Sequence, residues 1–196
     1  MSFTGYKNLE LLTEIKKYTD FEYDGQSAKI PYFMSNNGIY GGKKTVSEIK
    51  KYISANKGSE RLQSFIDSHK PQCGIDCSGF CYNTLNEATD GKLKRFLRET
   101  ADTTNVTDLR SKSTKITTIE DIRPNDFIIF NGDNHVAIIY EVRYSSLEDG
   151  ISKPWEIKYA HSSGGKGPHF GYIVLNSNKL KGYFETIKDF LYSKSI

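Results

Sequence analysis

The chain has 196 residues, of which 37% are hydrophobic, 13% aromatic and 26% charged. These fractions allow a packed core and exclude a collagen-like, coiled-coil or disordered chain. The formal net charge is only +3 and the basic residues are scattered, so we expect no nucleic-acid partner. No stretch reaches the roughly 20 apolar residues of a membrane-spanning helix, and no apolar signal-peptide core is visible. We therefore expect a single soluble domain over residues 1–196.

The first part of the chain predicts helices. Asn8–Tyr18 carries apolar residues close to helical spacing. The pattern Thr45-Val-Ser-Glu48 fits a capping box and predicts a helix as far as about Ala55. A second helix is predicted from Glu60 to about His69, with Pro71 ending this helical pair.

After residue 90 the prediction changes from helix to strand. Residues 90–120 are polar, and only Leu93–Arg98 suggests a further helix. Beyond Pro124, segments rich in Ile, Val, Tyr and Phe are bounded by Gly, Asn and Pro, and Tyr183–Tyr192 fits either a strand or a helix. Helices followed by a run of antiparallel strands predict the α+β class, with N-terminal helices packed on an antiparallel sheet. The predicted strands are Phe127–Phe130, His135–Tyr144, Trp155–His161 and Tyr172–Leu175.

Cys77 is the candidate nucleophile, because a helix is predicted from Asp76 to about Ala88. Asp76 or Ser78 would cap that helix, which places the cysteine in its first turn. The dipole and the free N–H groups of a helix N-terminus favour a thiolate, and the same N–H groups can stabilise an oxyanion. A buried, unreactive cysteine is the alternative at this position.

Two histidines are candidates for the base that a cysteine nucleophile requires. His135 opens an apolar strand, and His161 ends the next one. Neighbouring antiparallel strands would bring the two rings together, with His135 as base and His161 fixing its tautomer. Structural histidines held by hydrogen bonds are the alternative.

A zinc site is the competing interpretation of the cysteine cluster. Cys73, Cys77 and Cys81 are spaced by four residues, and His69 and His135 are further candidate ligands. Zinc ligands more often come in separated pairs, and Cys77 with Cys81 also fits a nucleophile followed by a core cysteine one helical turn later. The spacing therefore favours nucleophilic chemistry over metal binding.

Four motifs in order resemble the NlpC-like cysteine peptidases, which are bacterial and phage cell-wall hydrolases with a papain-like fold. They are Asp76-Cys-Ser-Gly-Phe80, Arg123-Pro-Asn-Asp-Phe-Ile-Ile-Phe130, His135-Val-Ala-Ile-Ile-Tyr140 and Tyr159-Ala-His-Ser-Ser163. The resemblance covers about residues 30–175. It implies a papain-like NlpC-type domain that acts at the cell wall.

The resemblance also implies a mechanism and a substrate. Cys77 would be the nucleophile, His135 the base and His161 the polar third residue, acting through a thioester without a metal or organic cofactor. The substrate would be a peptidoglycan stem peptide, cut between a γ-D-glutamyl group and a diamino acid. An amidase or acyltransferase of the same fold, or a catalytically silent wall-binding module, are the alternatives.

Further positions follow from the same resemblance. Tyr32 lies in a segment similar to the family's Pro-Tyr motif, whose tyrosine lines the site, and Asp76 and Ser78 would meet polar groups of the substrate. Asn125 replaces a glycine of the family's turn and is expected to keep that turn, because asparagine tolerates left-handed backbone angles. Residues 45–70 are predicted to be a two-helix insertion that packs beside the cleft, narrows substrate access and can be deleted without unfolding the core. A peripheral decoration is the alternative.

Overall fold

The computed structural model describes residues 3–35, 41–130, 134–146, 152–175 and 183–186. Its α-helices are α1 (Leu9–Thr19), α2 (Val46–Asn56), α3 (Leu62–Ser68), α4 (Lys70–Cys73), α5 (Cys77–Ala88), α6 (Lys92–Leu97) and α7 (Val106–Ser111). Its strands are β1 (Phe3–Lys7), β2 (Glu22–Tyr23), β3 (Gln26–Ser27), β4 (Thr114–Lys115), β5 (Phe127–Phe130), β6 (His135–Ser146), β7 (Ser152–Ser163), β8 (Gly167–Val174) and β9 (Tyr183–Thr186).

The main sheet is antiparallel and has the strand order β4-β9-β5-β6-β7-β8. The long strand β6 pairs with β5 along its first residues and with β1 along its later ones, and with β7 on its other side. Helices therefore combine with an antiparallel sheet, which confirms the predicted α+β class. No helix in the described part of the chain is long and apolar enough to cross a membrane.

Local capping explains where the predicted helices begin. The Asn8 side chain accepts a hydrogen bond from the Leu11 N–H at the start of α1. The predicted capping box of α2 is confirmed, with Thr45 and Glu48 each accepting from the other's backbone N–H. The caps fix the first turns because helix N-termini have N–H groups without an intrahelical partner.

The structure corrects two predicted boundaries. The α3 helix ends at Ser68, but a further short helix, α4, follows and contains Pro71. Pro71 lies in the first turn of α4, where the missing N–H of proline removes no helical hydrogen bond. Strand β8 begins at Gly167 rather than near Tyr172. Pro168 is tolerated there because β8 ends the strand order and a missing N–H costs least on an edge strand.

Other differences lie where the sequence pattern is weak. Asn125 adopts a φ of 81°, as expected for the turn before β5. Helix α7 was not predicted, and β9 decides the ambiguous segment in favour of a strand over Tyr183–Thr186. The rest of that segment, 187–192, lies outside the described residues.

The sheet has a buried layer on each face, since alternate residues of a strand point to opposite sides. Ile138 and Ala160 join the helices in the larger core, whereas Ile139 and Ile157 pack beneath the segment that holds Ile119. Helices α1 and α5 contact the β6–β7 part of the sheet from the first of these faces. The candidate nucleophile and base therefore come from elements that pack directly on each other.

The 45–70 segment contributes to the same core as the nucleophile helix. Ile49, Ile53, Phe65 and Ile66 are fully buried in the cluster that contains Phe80 of α5. Removing this much apolar surface is expected to destabilise the core, so the packing argues against a deletable insertion, which stays an untested prediction.

Candidate active site

The nucleophile helix begins where the sequence predicted. Asp76 is its N-cap, and the carboxylate accepts a hydrogen bond of 2.7 Å from the Gly79 N–H. Cys77 is the first residue of α5 and is 5% exposed. The cap therefore holds the thiol in the first turn, next to N–H groups that have no partner within the helix.

Cys77 lies against the first residues of β6. The backbone of Val136, the residue after His135, lies close enough to the Cys77 thiol to lower its pKa, and the Cys81 thiol contacts the Val136 carbonyl oxygen at 3.7 Å. Burial raises the pKa of the Cys77 thiol, and the Val136 backbone acts against this by favouring the thiolate. The packing of α5 on β6 thus brings the candidate nucleophile to the strand that carries the candidate base.

His135 and His161 are brought together by the β6–β7 pairing. The distance between His135 Nε2 and His161 Nδ1 is 2.6 Å, and the two rings meet edge to face with their centroids 4.9 Å apart. One of these two nitrogens carries the proton that the hydrogen bond requires. This leaves Nδ1 of His135 as the nitrogen that is available to another group.

A third histidine, His169, completes the cluster. It pairs with His161 across β7 and β8, and the two ring centroids are 4.1 Å apart. Burial lowers the pKa of His135, with a further contribution from the charge of His169. Burial, again followed by His169, lowers the pKa of His161 to about 3. Both imidazoles are therefore neutral near pH 7.

The histidine strands are braced to the nucleophile helix. Ser162, next to His161, is buried and donates a 2.7 Å hydrogen bond to the carbonyl oxygen of Ile75, which directly precedes Asp76. A buried bond of this kind fixes the separation of the two elements.

The thiol opens into a cavity of about 610 Å³. Its walls come from the start of α5, the segment before α2 and the segment that leads into α7. Its lining residues are Met34, Ser35, Gly41, Lys43, Lys44, Asp76, Cys77, Ser78, Asp102, Thr103, Thr104, Asn105, Val106 and Asn134. The size suits a peptide-sized substrate.

Asp76 and Ser78 line this cavity but are engaged by Lys43. The Lys43 ammonium lies 2.9 and 3.0 Å from the two Asp76 carboxylate oxygens, and it donates to the Ser78 hydroxyl at 2.5 Å and to the Thr104 carbonyl at 2.9 Å. The structure therefore places both residues at the cavity, with their polar groups in an internal network.

Tyr32 also lies beside the nucleophile. Its segment runs along Ile75, whose N–H donates to the Pro31 carbonyl and whose carbonyl accepts from the Phe33 N–H. Burial, then the nearby Cys77 and Asp76, raises the pKa of Tyr32 to about 12. The tyrosine is thus a neutral hydroxyl near the thiol, and its role in the site stays a prediction.

The residues proposed for a zinc site are not arranged around one point. The His69 ring stacks on Phe65 with centroids 4.1 Å apart and bonds the Phe65 carbonyl, while Cys73 is buried in the core. Among the residues that the structure describes, no group of three or more His, Cys, Asp or Glu side chains is placed to hold a metal ion.

Comparisons with known proteins give no assignment. Neither a family model, nor a curated protein, nor a solved structure matches this chain. The resemblance of its motifs to the NlpC-like peptidases therefore stays a prediction.

Sequence reasoning missed two residues of this region. Lys43 follows the Gly41-Gly42 pair, and nothing in its local sequence distinguishes it from a surface lysine. His169 lies in the first part of β8, where Gly167 and Pro168 argued against a strand, so this part was not predicted. For His169 the signal was available, since a histidine eight residues beyond His161 can face it across a hairpin.

Proposed function

We propose that this protein is a cysteine peptidase of the NlpC-like kind, with a papain-like fold, that hydrolyses peptidoglycan stem peptides. The observation that carries the proposal is the 2.6 Å contact between His135 Nε2 and His161 Nδ1, on the strand pair against which the Cys77 helix packs. A nucleophile, a base and an orienting group on three adjacent elements are what thiol-dependent acyl transfer requires. The proposed bond is the one between the γ-carboxyl of D-glutamate and a diamino acid.

In the first half of the reaction, the Cys77 sulfur attacks the carbonyl carbon while His135 takes the thiol proton at Nδ1. His161 is neutral, so its Nδ1 accepts a hydrogen bond from the Nε2–H of the protonated His135. N–H groups of the first turn of α5 stabilise the oxyanion. The C–N bond then breaks, the leaving amine takes the proton from His135, and a thioester remains on Cys77.

In the second half, water attacks the thioester carbonyl and gives its proton to His135. The C–S bond breaks, the carboxyl product leaves, and the proton returns to the Cys77 sulfur. The cycle balances with the protein's own groups and one water, so it requires no cofactor.

Digestion of purified peptidoglycan fragments, read by mass spectrometry, tests this function. We expect new stem-peptide fragments from the wild type and from Cys73→Ala, a buried cysteine absent from the cavity lining given above, and none from Cys77→Ala. Circular dichroism would verify that each variant is folded.

Other outcomes would contradict the proposal in identifiable ways. Undiminished cleavage by Cys77→Ala would exclude the thiol mechanism. Products in which an added amine is joined to the acyl group would indicate an acyltransferase instead. Binding of wall fragments without any product would indicate a silent binding module.

A further inference from the structure

The cap of the nucleophile helix creates an electrostatic conflict. Asp76 is needed at the start of α5, because its carboxylate holds the Gly79 N–H. The same carboxylate is adjacent to Cys77 in the chain, is 5% exposed, and opposes the formation of a second negative charge on the thiol. A helix start that caps itself with a buried aspartate therefore works against its own nucleophile.

Lys43 lies where it resolves this conflict. Its ammonium lies within 3.0 Å of both carboxylate oxygens, and the exposed fractions of the Lys43 and Asp76 side chains are 12% and 7%. Further bonds to the Ser78 hydroxyl and the Thr104 carbonyl match the three donors that an ammonium has. A partly buried pair with this geometry is screened less than a surface pair, so the positive charge of Lys43 lowers the pKa of the Cys77 thiol.

The backbone before α5 holds Lys43 in place. The Asp76 N–H donates to the Gly42 carbonyl at 2.8 Å, and the Lys43 carbonyl accepts from the Asn83 side chain on the next turns of α5. Gly42 has a φ of 75°, and a Cβ there would lie 2.0 Å from the Phe33 carbonyl oxygen. The backbone of Lys43 is therefore fixed by hydrogen bonds to α5, which hold its side chain at the start of that helix.

Other ionisable groups also face the thiol. Tyr32 lies on the segment that runs along Ile75, Cys81 on the next turn of α5, and His135 on β6. Lys44 and Asp102 line the wall of the cavity. Of these, burial and charge leave the tyrosine, Cys81 and the histidine neutral near pH 7.

We propose that Lys43 is a positioning residue that neutralises Asp76, so that the helix of the nucleophile can be capped by a carboxylate without opposing ionisation of Cys77. Lys43 acts through Asp76 and through its own charge, and it does not touch the reacting atoms. The proposal deepens the proposed function and rests on Cys77 being its nucleophile. It is tested without any peptide substrate.

The experiment measures alkylation of Cys77 by iodoacetamide across pH, with tandem mass spectrometry separating Cys77 from Cys73 and Cys81. The proteins are the wild type, Lys43→Met, Asp76→Asn and the double variant, with Lys51→Met, an exposed lysine of α2, as the control. Asparagine is also a good N-cap, so Asp76→Asn removes the charge while keeping the helix start.

We expect the apparent pKa of Cys77 to be lowest in Asp76→Asn and highest in Lys43→Met. The wild type and the double variant are expected to lie between these two. Lys43→Met leaves the carboxylate unpaired, so alkylation at pH 7 is expected to slow by about tenfold, and removing the carboxylate as well restores it. The control is expected to behave as the wild type. A purely structural lysine would instead make the double variant at least as impaired as Lys43→Met.

Two results would overturn the proposal: an unchanged pH profile in Lys43→Met, or a double variant that is not restored. If Lys43→Met fails to fold, Asp76→Asn and the double variant decide, because equal profiles in these two would show that the lysine's charge does not reach the thiol. If the order holds but no wall fragment is cleaved, the proposed function fails and the role of Lys43 stands. If cleavage depends on Cys77 but the order fails, only the role of Lys43 is lost.

Discussion

At the start of α5 a buried carboxylate is paired with a partly buried ammonium, whereas on β6 and β7 the imidazoles are neutral because partial burial lowers their pKa. We call the first region, Lys43, Asp76 and Cys77, the nucleophile half, and the second, His135 and His161, the histidine half. The nucleophile half holds two full charges in contact at 2.9 Å. The histidine half holds one hydrogen bond of 2.6 Å between uncharged rings.

This difference shows two physical ways of preparing ionisable groups for proton transfer. Desolvation by itself raises the pKa of a thiol and lowers the pKa of an imidazole, which leaves both groups neutral at rest. A neutral thiol beside a neutral base can pass its proton only when the developing charges are stabilised. In the proposed mechanism, the ion pair and the helix N–H groups stabilise the developing charge in the nucleophile half, and the neutral His161 stabilises it in the histidine half by accepting a hydrogen bond.

The largest effect is expected from removing the base of the histidine half. His135→Ala should lower kcat/KM for stem-peptide cleavage by about 10²- to 10⁴-fold, because it removes the group proposed to take the thiol proton. His169→Phe is the matched control, since phenylalanine can keep the ring contact with His161. This variant is expected to lower kcat/KM by less than about tenfold. Steady-state kinetics on one defined peptide would measure both, and equal losses would contradict the assignment of His135 as base.

The next effect concerns the backbone that holds the nucleophile half. Gly42→Ala combines a left-handed backbone angle with a Cβ placed 2.0 Å from the Phe33 carbonyl oxygen, and should lower the free energy of unfolding by about 2–5 kcal/mol. Gly25→Ala is the control: its φ of 69° is similar, but no heavy atom lies within 4 Å of the added Cβ, so about 1–2 kcal/mol is expected. Urea unfolding measures both, and equal losses would mean that the contact with Phe33 does not matter.

The smallest effect is expected in the pH dependence of stability. The pKa of His161 is about 3 in the folded protein and near 6.5 when unfolded, so between these values only the unfolded chain binds the proton. The free energy of unfolding therefore falls as pH decreases from about 6.5 towards 3. His161→Asn should reduce the loss between pH 7 and pH 5 by about 1 kcal/mol, since the half-buried ring is partly screened by solvent. Urea unfolding at both pH values checks this, and an equal loss in both proteins would contradict it.

Much of the fold was predictable because the signals were local. The capping box at Thr45 and the cap at Asp76 fix the first turns of their helices through bonds spanning three residues. The β-rich segments after Pro124 became β5, β6 and β7 near the expected positions. The expectation that two consecutive strands pair antiparallel was enough to predict that His135, at the start of one, and His161, at the end of the next, would lie close together.

The sequence by itself determined the class of the fold and the identity of the candidate nucleophile and histidines, because caps, strand patterning and residue chemistry are properties of short segments. Only the tertiary structure decided that Lys43 forms an ion pair with the Asp76 carboxylate and that apolar residues of the 45–70 segment are buried in the main core. It also decided that the His169 ring packs against the His161 ring, with the two ring planes tilted by 46°. The physical reason is that the partners in such contacts are far apart in the chain: Lys43 and Asp76 are separated by 33 residues. Which distant residues come into contact depends on the tertiary packing, and a local sequence pattern does not contain that information.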